Sequence, residues 1–320
     1  MTKKIQVAAV QLRSVDSDVE ANLSHAEPYL EQAAAREARL VLLPEFYPSG
    51  YVFSEALWDA AEPAEGPTVR WLRAQARRHG FYLGTSFIEA EGEHFYNTFV
   101  LAAPGGTDAG RVRKQTPAAW EAFYTRGDPG SHTIDTAIGR VGVGICLENL
   151  ISYTPGLMHA GAVDLMLMPH SAPTPAPSFL VSRAIIRRWH ETLEETPLHY
   201  ARTLGVPVVL ANKVGPWESP LPGLPLLDQR SSFPGVTTIV DSDGALRARL
   251  DDREGVVSAD VTLDARRREP TPPACRGYWA WDLPWQANIL RAVQSVGSAW
   301  YRLSRERRRR ALLASRRRSG

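Results

Sequence analysis

The feature of this sequence that most restricts its fold is a series of short apolar segments that each end abruptly. Leu40–Leu43 stops at Pro44, and Asp164–Met168 stops at Pro169. Because proline has no backbone N–H to donate to a strand ladder, both segments are typical of buried strands that end at the proline. Helical spacing of apolar residues occurs between such segments, as in Pro67–His79. Strands that alternate with helices predict an α/β fold.

Further segments extend this pattern along the chain. Additional strands are predicted over Ile5–Leu12, Phe81–Ile88, Phe95–Ala103, Arg140–Cys146, Val206–Val214, Thr237–Val240 and Val256–Val261. Several of them follow one another without a helix, which favours a mixed sheet over a purely parallel one. Additional helices are predicted over Asn22–Arg39, Ser178–Leu204 and Gln286–Leu313. We expect a break at Pro197, because proline removes a hydrogen bond inside a helix.

Composition narrows the class of protein. With 320 residues, of which 44% are hydrophobic, the chain can bury a large core. Its two cysteines, Cys146 and Cys275, make a disulfide framework improbable. No segment approaches the roughly 18 apolar residues of a membrane span, and Met1–Lys4 leads directly into a strand without a signal-like apolar region. These features predict a cytoplasmic protein.

The C-terminal part differs from the rest in composition. We expect a main domain over residues 1–265, and an extended arm followed by a basic amphipathic helix and tail over residues 266–320. Nine arginines and one glutamate lie between Arg302 and Gly320. Such a tail is either a solvated chain end or a weak contact with an anionic membrane surface. The remainder of the chain has no basic excess, so no nucleic-acid partner is expected.

Cys146 and Glu45 are the first candidates for chemistry. Cys146 ends a glycine-rich apolar strand and precedes a turn, where a thiol can react and the next backbone N–H can face an oxyanion. Glu45 follows Pro44 at a strand end, where partial burial would raise its pKa and suit it to general-base work. Taken separately, the cysteine is more typical of a small core residue, and the glutamate is equally typical of a surface loop.

Lys114 and Glu121 complete a possible catalytic group. Lys114 could provide a fixed cation for the charge that develops on a carbonyl oxygen, or it could be a basic residue of an edge strand. Glu121 could orient Lys114 or transfer protons, or it could be an ordinary helix residue. The four residues together are far more specific than any one of them.

With these residues in place, the chain resembles the nitrilase superfamily of carbon–nitrogen hydrolases. The matching segments are AAVQL (8–12), LVLLPEFYPSGY (40–51), YNTFVLAAPGG (96–106), RKQ (113–115), GVGICLEN (142–149), DLMLMP (164–169), VPVVLANKVG (206–215) and VDSDG (240–244). The resemblance implies a four-layer α-β-β-α sandwich, here with a C-terminal extension. It further implies Cys146 as nucleophile, Glu45 as base, Lys114 as oxyanion stabiliser and Glu121 as the second glutamate. The resemblance also implies a homo-oligomer, and it implies no metal or cofactor.

The residues around this group suggest a pocket for a small-molecule substrate. We expect its walls to include Tyr51, Trp120, Leu147, Glu148 and His170. The leading hypothesis is hydrolysis of a small amide or N-carbamoyl compound through a thioester. The Glu148-Asn149 pair also resembles nitrile-cleaving members, so a nitrilase is the alternative. Acyl transfer to an amine and a non-catalytic binding protein of the same fold are the remaining hypotheses.

Overall fold

Two six-stranded sheets form the centre of the molecule. The computed structural model describes residues 2–177, 181–222 and 224–317. The first sheet contains β1 (Lys3–Gln11), β2 (Leu40–Leu42), β3 (Tyr82–Glu91), β4 (His94–Ala102), β5 (Asp108–Arg113) and β14 (Gly255–Leu263), in the order β14-β1-β2-β3-β4-β5. Its neighbours are parallel in the β1–β2 and β2–β3 pairs and antiparallel in the others.

The second sheet repeats this mixed arrangement. It contains β6 (Thr133–Thr136), β7 (Gly139–Val143), β8 (Leu165–Pro169), β9 (Val208–Ala211), β12 (Thr238–Val240) and β13 (Leu246–Arg249), in the order β13-β12-β9-β8-β7-β6. The β7–β8 and β8–β9 pairs are parallel. A separate antiparallel hairpin is formed by β10 (Val214–Leu221) and β11 (Leu224–Pro234).

Helices cover the outer faces of both sheets. They are α1 (Val19–Ala35), α2 (Ala56–Asp59), α3 (Pro67–His79), α4 (Tyr153–Ala160), α5 (Arg183–Leu204), α6 (Ala287–Leu303) and α7 (Arg305–Ser315). Helices α1 and α3 pack on the first sheet, while α4 and α5 pack on the second. The predicted α-β-β-α sandwich with a mixed arrangement of strands is therefore confirmed.

Strand β1 shows why the sequence produces two core layers. Val7 and Ala9 join the cluster between the sheets, whereas Ala8 and Val10 join the cluster under α1 and α3. Side chains alternate between the faces of a strand, so a strand covered on both sides must be apolar throughout. The uninterrupted apolar run of this segment therefore reflects its burial on both faces.

Two predicted features of the helices and strands are wrong, and a third falls outside the described residues. Helix α5 continues through Pro197 without a break, because the buried packing of its neighbours Leu193 and Tyr200 outweighs one lost hydrogen bond. The predicted start at Ser178 lies outside the described residues, and α5 begins at Arg183. The strand predicted over Val206–Val214 is shorter, since β9 ends at Ala211 and Val214 already belongs to the hairpin.

The predicted C-terminal helix is divided in two at Ser304. Ser304 has an extended conformation, and its hydroxyl accepts a hydrogen bond from Arg307 N as the N-cap of α7. The guanidinium of Arg307 is buried and donates to the carbonyl oxygens of Tyr301 and Glu93. Arg310 pairs with Glu55 and Asp59 on the main body. Residues 305–315 are therefore a docked helix, and the interpretation of this region as a solvated chain end is wrong.

Helix α6 lies very close to the turn formed by residues Ala119–Phe123. A Cβ atom added to Gly297 would lie 2.6 Å from a ring carbon of Phe123 and 3.0 Å from the carbonyl carbon of Ala122. Real Cβ atoms do not approach so closely, so only glycine permits this contact. The C-terminal extension is thereby fitted against the turn that carries Glu121.

Candidate active site

The chemical residues meet where several strands end. Glu45 follows β2, Lys114 follows β5, Cys146 follows β7, and the pair His170 and Ser171 follows β8. In α/β sheets the carboxyl ends of the parallel strands are the usual place for a ligand site. The structure therefore brings together residues that are far apart in sequence.

Cys146 occupies a strained turn. Its φ is +52°, a left-handed conformation that costs a non-glycine residue about 1–3 kcal/mol, and it opens a 3₁₀ turn over Cys146–Leu150. Glycine is required just before it, because a Cβ on Gly144 would lie 2.0 Å from Oδ1 of Asn149. The Asn149 amide nitrogen donates to Gly144 O at 2.8 Å and so closes the turn. The glycines before the cysteine thus belong to the machinery that presents its sulfur.

Lys114, Glu45 and Glu121 form a buried charged cluster beside the sulfur. Lys114 Nζ lies 2.7 Å from Glu45 Oε1 and 2.6 Å from Glu121 Oε2, and all three side chains are fully buried. An ammonium has three N–H groups, and these two bonds use two of them. The third remains for another acceptor. The cluster is thus a fixed cation with spare hydrogen-bonding capacity.

Every oxygen of the two carboxylates has partners. Asn97 Nδ2 donates to Glu45 Oε1 at 2.8 Å and to Glu121 Oε1 at 3.0 Å. Glu45 Oε2 accepts from Ser171 N at 3.0 Å, and Glu121 Oε2 also accepts from Ala118 N at 2.9 Å. Buried charges tolerate low-dielectric surroundings only when paired in this way. Glu121 shares Lys114 with Glu45, and its hydrogen bond to the ammonium suits it to orient Lys114.

Burial and charge shift the pKa values in this cluster in a consistent pattern. Burial raises the pKa of the Glu45 carboxyl, and Glu121 adds to the rise, although Lys114 opposes it. Burial and the charge of Glu45 raise the pKa of the Cys146 thiol well above its usual value. Burial alone would lower the pKa of Lys114, but Glu121 and Glu45 together raise it well above the ordinary value. Lys114 is therefore a permanent cation, and the resting cysteine is a thiol.

A third buried carboxylate, Glu148, supports the turn that carries Cys146. Its oxygens accept hydrogen bonds from the backbone N–H groups of Gln115 at 2.6 Å and Ile145 at 3.0 Å. His132 Nε2 lies 3.4 Å away. Burial alone would raise the pKa of Glu148, but His132 and the other donors lower it. Glu148 links the residue after Lys114 to the residue before Cys146, so it aligns the two.

A cavity of about 630 Å³ opens above the cysteine. Of the residues expected from sequence to contact substrate, Tyr51, Trp120, Leu147 and His170 line it, together with Cys146 itself. Glu148 is absent from the described lining and fully buried. Glu148 was expected to contact the substrate. Its hydrogen bonds instead turn it toward the backbone, where it aligns Lys114 and Cys146.

The cavity wall is apolar and carries no ionised side chain among the described residues. Its larger apolar members come from the hairpin and from three other elements, and include Phe53, Trp189, Leu193, Trp217, Leu221 and Leu290. The undescribed segments Ser178–Leu180 and Gly223 contain no ionisable side chain either. Leu290 belongs to α6, so the C-terminal extension contributes to the wall.

His170 is a neutral hydrogen-bond donor in this wall. Burial, with the nearby charge of Lys114, lowers the pKa of His170 to about 3. The Asn149 amide nitrogen lies 2.9 Å from Nε2 and donates to it, so the proton is assigned to Nδ1. Among the described residues, Nδ1 has no hydrogen-bond partner.

Sequence reasoning missed three supporting residues. Asn97 bridges the two glutamates, and Ser171 binds Glu45 through both its N–H and its hydroxyl, which donates to Glu45 O at 2.6 Å. Lys213 is fully buried and donates to Phe46 O at 3.0 Å, which fixes Phe46 at a φ of +45°. Burial lowers the pKa of Lys213 to about 7. Polar residues inside otherwise apolar segments were the available signal for all three.

Residues 2–177, 181–222 and 224–317 contain neither a metal-binding cluster nor a membrane-spanning helix. No group of three or more His, Cys, Asp or Glu side chains in these ranges is arranged to hold a metal ion. None of the helices in the same ranges is both long enough and apolar enough to span a bilayer.

Curated relatives share sequence with this chain over different extents. Nitrilase 1 of Arabidopsis thaliana is 31% identical over 185 residues, which cover 52% of this chain and 54% of the relative. N-carbamoylputrescine amidase of the same plant is 26% identical over 274 residues, which cover 82% of this chain and 88% of the relative. The chain thus spans about half the length of the plant nitrilase and most of the amidase.

Solved structures show the same fold, and a family model shows the family. A carbon-nitrogen hydrolase from Helicobacter pylori G27 superposes with a TM-score of 0.69 at 20% identity and covers 95% of this chain and 96% of its own. Nit3 of Saccharomyces cerevisiae, a member of the nitrilase superfamily, gives a TM-score of 0.67 at 24% identity. That match covers 83% of this chain and 92% of Nit3. The carbon-nitrogen hydrolase family model matches residues 6–269. The chain therefore belongs to the carbon-nitrogen hydrolase family, within the nitrilase superfamily.

Proposed function

We propose that this chain is a cysteine-dependent amide hydrolase that works through a thioester acyl-enzyme. The observation that carries the proposal is the position of Lys114 between Glu45 and Glu121 beside Cys146. That arrangement holds a base, a cation and a nucleophile in one buried place. These are the three components that acyl transfer from an amide requires.

The first half of the reaction forms the acyl-enzyme. Glu45 removes the Cys146 proton as the sulfur attacks the substrate carbonyl carbon, and the carbonyl electrons move onto oxygen. Lys114 donates its third N–H to this oxygen, and the N–H of Leu147 is the second donor. Protonated Glu45 then gives its proton to the nitrogen, the carbon–nitrogen bond breaks, and ammonia or an amine leaves.

The second half consumes water and restores the thiol. Glu45 takes a proton from a water molecule, whose oxygen attacks the thioester carbon. The carbon–sulfur bond breaks as the tetrahedral intermediate collapses, and Cys146 recovers its proton from Glu45. The raised pKa of Glu45 suits it to both halves, since a base that holds its proton can also return it.

The cavity wall favours an uncharged substrate with an apolar substituent. Some relatives are N-carbamoylputrescine amidases, whose substrate name implies an amine. In this chain, the described wall offers no carboxylate to pair with an amine and no cation to pair with an acid. A charged group would lose its hydration there without compensation. We therefore propose an apolar amide, or an uncharged N-carbamoyl compound, as the substrate class.

A nitrilase is the second candidate. The 31% identity to Nitrilase 1 over 185 residues favours it. A nitrile meets the same nucleophile, and its nitrogen needs a proton donor where an amide needs an oxyanion donor. The amide is preferred because Lys114 is a permanent cation suited to an oxyanion.

Matched substrates separate the two candidates. Ammonia release is measured with phenylacetamide and phenylacetonitrile, and intact mass reports the acyl group on the protein. We expect faster amide turnover and an acyl mass that disappears in Cys146→Ala but persists in Cys275→Ser, the matched control. Faster nitrile turnover would support the nitrilase, and a wild-type protein that neither turns over nor gains mass would overturn both candidates.

A further inference from the structure

Helix α6 carries an apolar stripe that nothing in the described structure covers. Ile289, Val296, Trp300 and Leu303 are 39%, 62%, 60% and 81% exposed. At 3.6 residues per turn, these four positions fall within about 60° of the helix circumference. Trp285, 67% exposed, lies just before the helix on the same line. We call these five residues the outer stripe.

The orientation of the outer stripe is fixed by the rest of α6. Leu290 reaches the substrate cavity, Val293 packs in the aromatic cluster, and Gly297 lies against Phe123. The Tyr301 hydroxyl accepts a hydrogen bond from Phe95 N at 2.8 Å. A helix held at four positions along one side cannot rotate to bury its stripe. Large contiguous apolar surface of this kind marks an interaction site.

Exposed arginines surround the C-terminal end of the outer stripe. Six of them lie on α6, on α7 or just beyond α7: Arg302, Arg305, Arg308, Arg309, Arg316 and Arg317. Glu306 is the one acidic residue between positions 302 and 317. Arg308 pairs with Glu93 and Arg309 with Glu306, so this surface keeps a net positive charge that Arg302, Arg305, Arg316 and Arg317 carry, near exposed tryptophan and leucine. That combination is typical of a helix that lies in the interface of an anionic bilayer.

We propose that the outer stripe and its adjoining arginines dock this protein on an anionic lipid membrane surface. The tryptophans occupy the headgroup level, which is their preferred depth, and the arginines contact lipid phosphates. A second copy of the chain is the competing occupant of this face, and the light-scattering measurement below distinguishes it from a membrane. A nucleic acid would use the arginines but give the apolar residues no partner.

The position of the cavity is consistent with such docking. Leu290, one residue from Ile289 of the outer stripe, lines the apolar cavity above Cys146. A membrane-bound orientation would place this uncharged cavity close to a source of apolar molecules. The docking proposal does not depend on the proposed amidase activity, because vesicle binding can be measured without turnover.

Vesicle flotation tests the proposal with the full chain. One set of vesicles contains phosphatidylcholine alone, and the other contains equal shares of phosphatidylcholine and phosphatidylglycerol. We expect at least about tenfold stronger binding to the anionic vesicles, and a loss of about tenfold or more when salt is raised to screen surface charges. Binding that is absent, or equal for both vesicles, overturns the proposal.

Substitutions at exposed positions test the outer stripe and the arginines separately, without disturbing the core. Val296→Asn with Trp300→Asn removes apolar surface, and Arg302→Gln with Arg305→Gln removes charge; each double variant is expected to bind anionic vesicles at least about fivefold more weakly. Val15→Asn, at a residue 60% exposed on another part of the surface, is the matched control. Circular dichroism verifies folding of each variant. Unchanged vesicle binding by the stripe variant, or a stable dimer in light scattering that this variant dissociates, overturns the membrane proposal.

Discussion

The floor and the wall of the cavity follow opposite physical rules. The floor consists of Cys146 and, behind it, the buried charged cluster of Glu45, Lys114 and Glu121, whose carboxylate oxygens are fully hydrogen-bonded. The wall above is apolar and carries no ionised side chain among the described residues. Charges buried in a low-dielectric site require fixed partners, whereas apolar contacts depend mainly on area and shape. Changes in the floor should therefore be costly for both folding and rate, while changes in the wall should alter substrate preference.

The largest expected effect comes from removing the cation of the floor. Lys114→Met leaves two buried carboxylates without their shared partner, which should lower the free energy of unfolding by about 3–5 kcal/mol. Loss of the oxyanion donor should also reduce kcat at least about 100-fold. Urea unfolding and ammonia release measure the two effects.

The matched control is an exposed ion pair of the same kind. Arg249 lies 2.6 Å from Glu194, and both side chains are 38% exposed. Arg249→Met should change the free energy of unfolding by less than about 1 kcal/mol, because solvent screens the pair. If Lys114→Met lowers the free energy of unfolding no more than Arg249→Met does, charge pairing does not stabilise the floor.

A smaller effect is expected from the wall. Leu290→Ala removes apolar contact area contributed by α6, so KM for an apolar amide should rise about tenfold. The kcat for acetamide, which cannot reach this part of the wall, should stay within about twofold. Leu246→Ala, at a residue 50% exposed on β13, is the control. An equal loss of kcat for both substrates would mean that wall and floor are not separable.

The smallest effect concerns the pH dependence of the support beneath the floor. Burial would lower the pKa of His132, but Glu148 raises it. This stabilisation is fully present below the unfolded value of about 6.5 and is lost as pH rises through the higher folded value. The stability difference between wild type and His132→Asn should therefore be greater by about 1 kcal/mol at about pH 6 than at about pH 9.

The contribution of Glu148, the partner of His132, depends on pH with the opposite sign. Glu148 has a lowered pKa, so its contribution is lost as pH falls through the folded value. Measurements kept above about pH 5 therefore isolate the histidine. A stability difference that grows toward alkaline pH would contradict the assigned pairing.

The same contrast explains how far the sequence alone could predict the molecule. Apolar strand segments ending at Pro44 and Pro169 were recognisable, because double burial leaves an uninterrupted apolar record. The candidate residues Glu45, Lys114, Glu121 and Cys146 were recognisable from motifs and lie together. The aligning role of Glu148 was not, since hydrogen bonds to the backbone of Gln115 and Ile145 have no local sequence pattern.

The C-terminal region shows the other limit. Amphipathic spacing predicted one helix over Gln286–Leu313, but Ser304 divides it because α7 is held in a different direction by Arg307 and Arg310. Pro197 likewise predicted a break that tertiary packing overrides. Local propensity is weak against such long-range contacts.

The contact between Gly297 and the Glu121 turn has a consequence for how the protein is made. The turn leaves the ribosome well before α6, which follows it by a long stretch of chain. Until α6 emerges, the turn lacks the surface against which Phe123 is fitted, and the cavity lacks Leu290. A nascent chain therefore holds the Cys146 thiol in an unfinished enclosure until α6 has been synthesised.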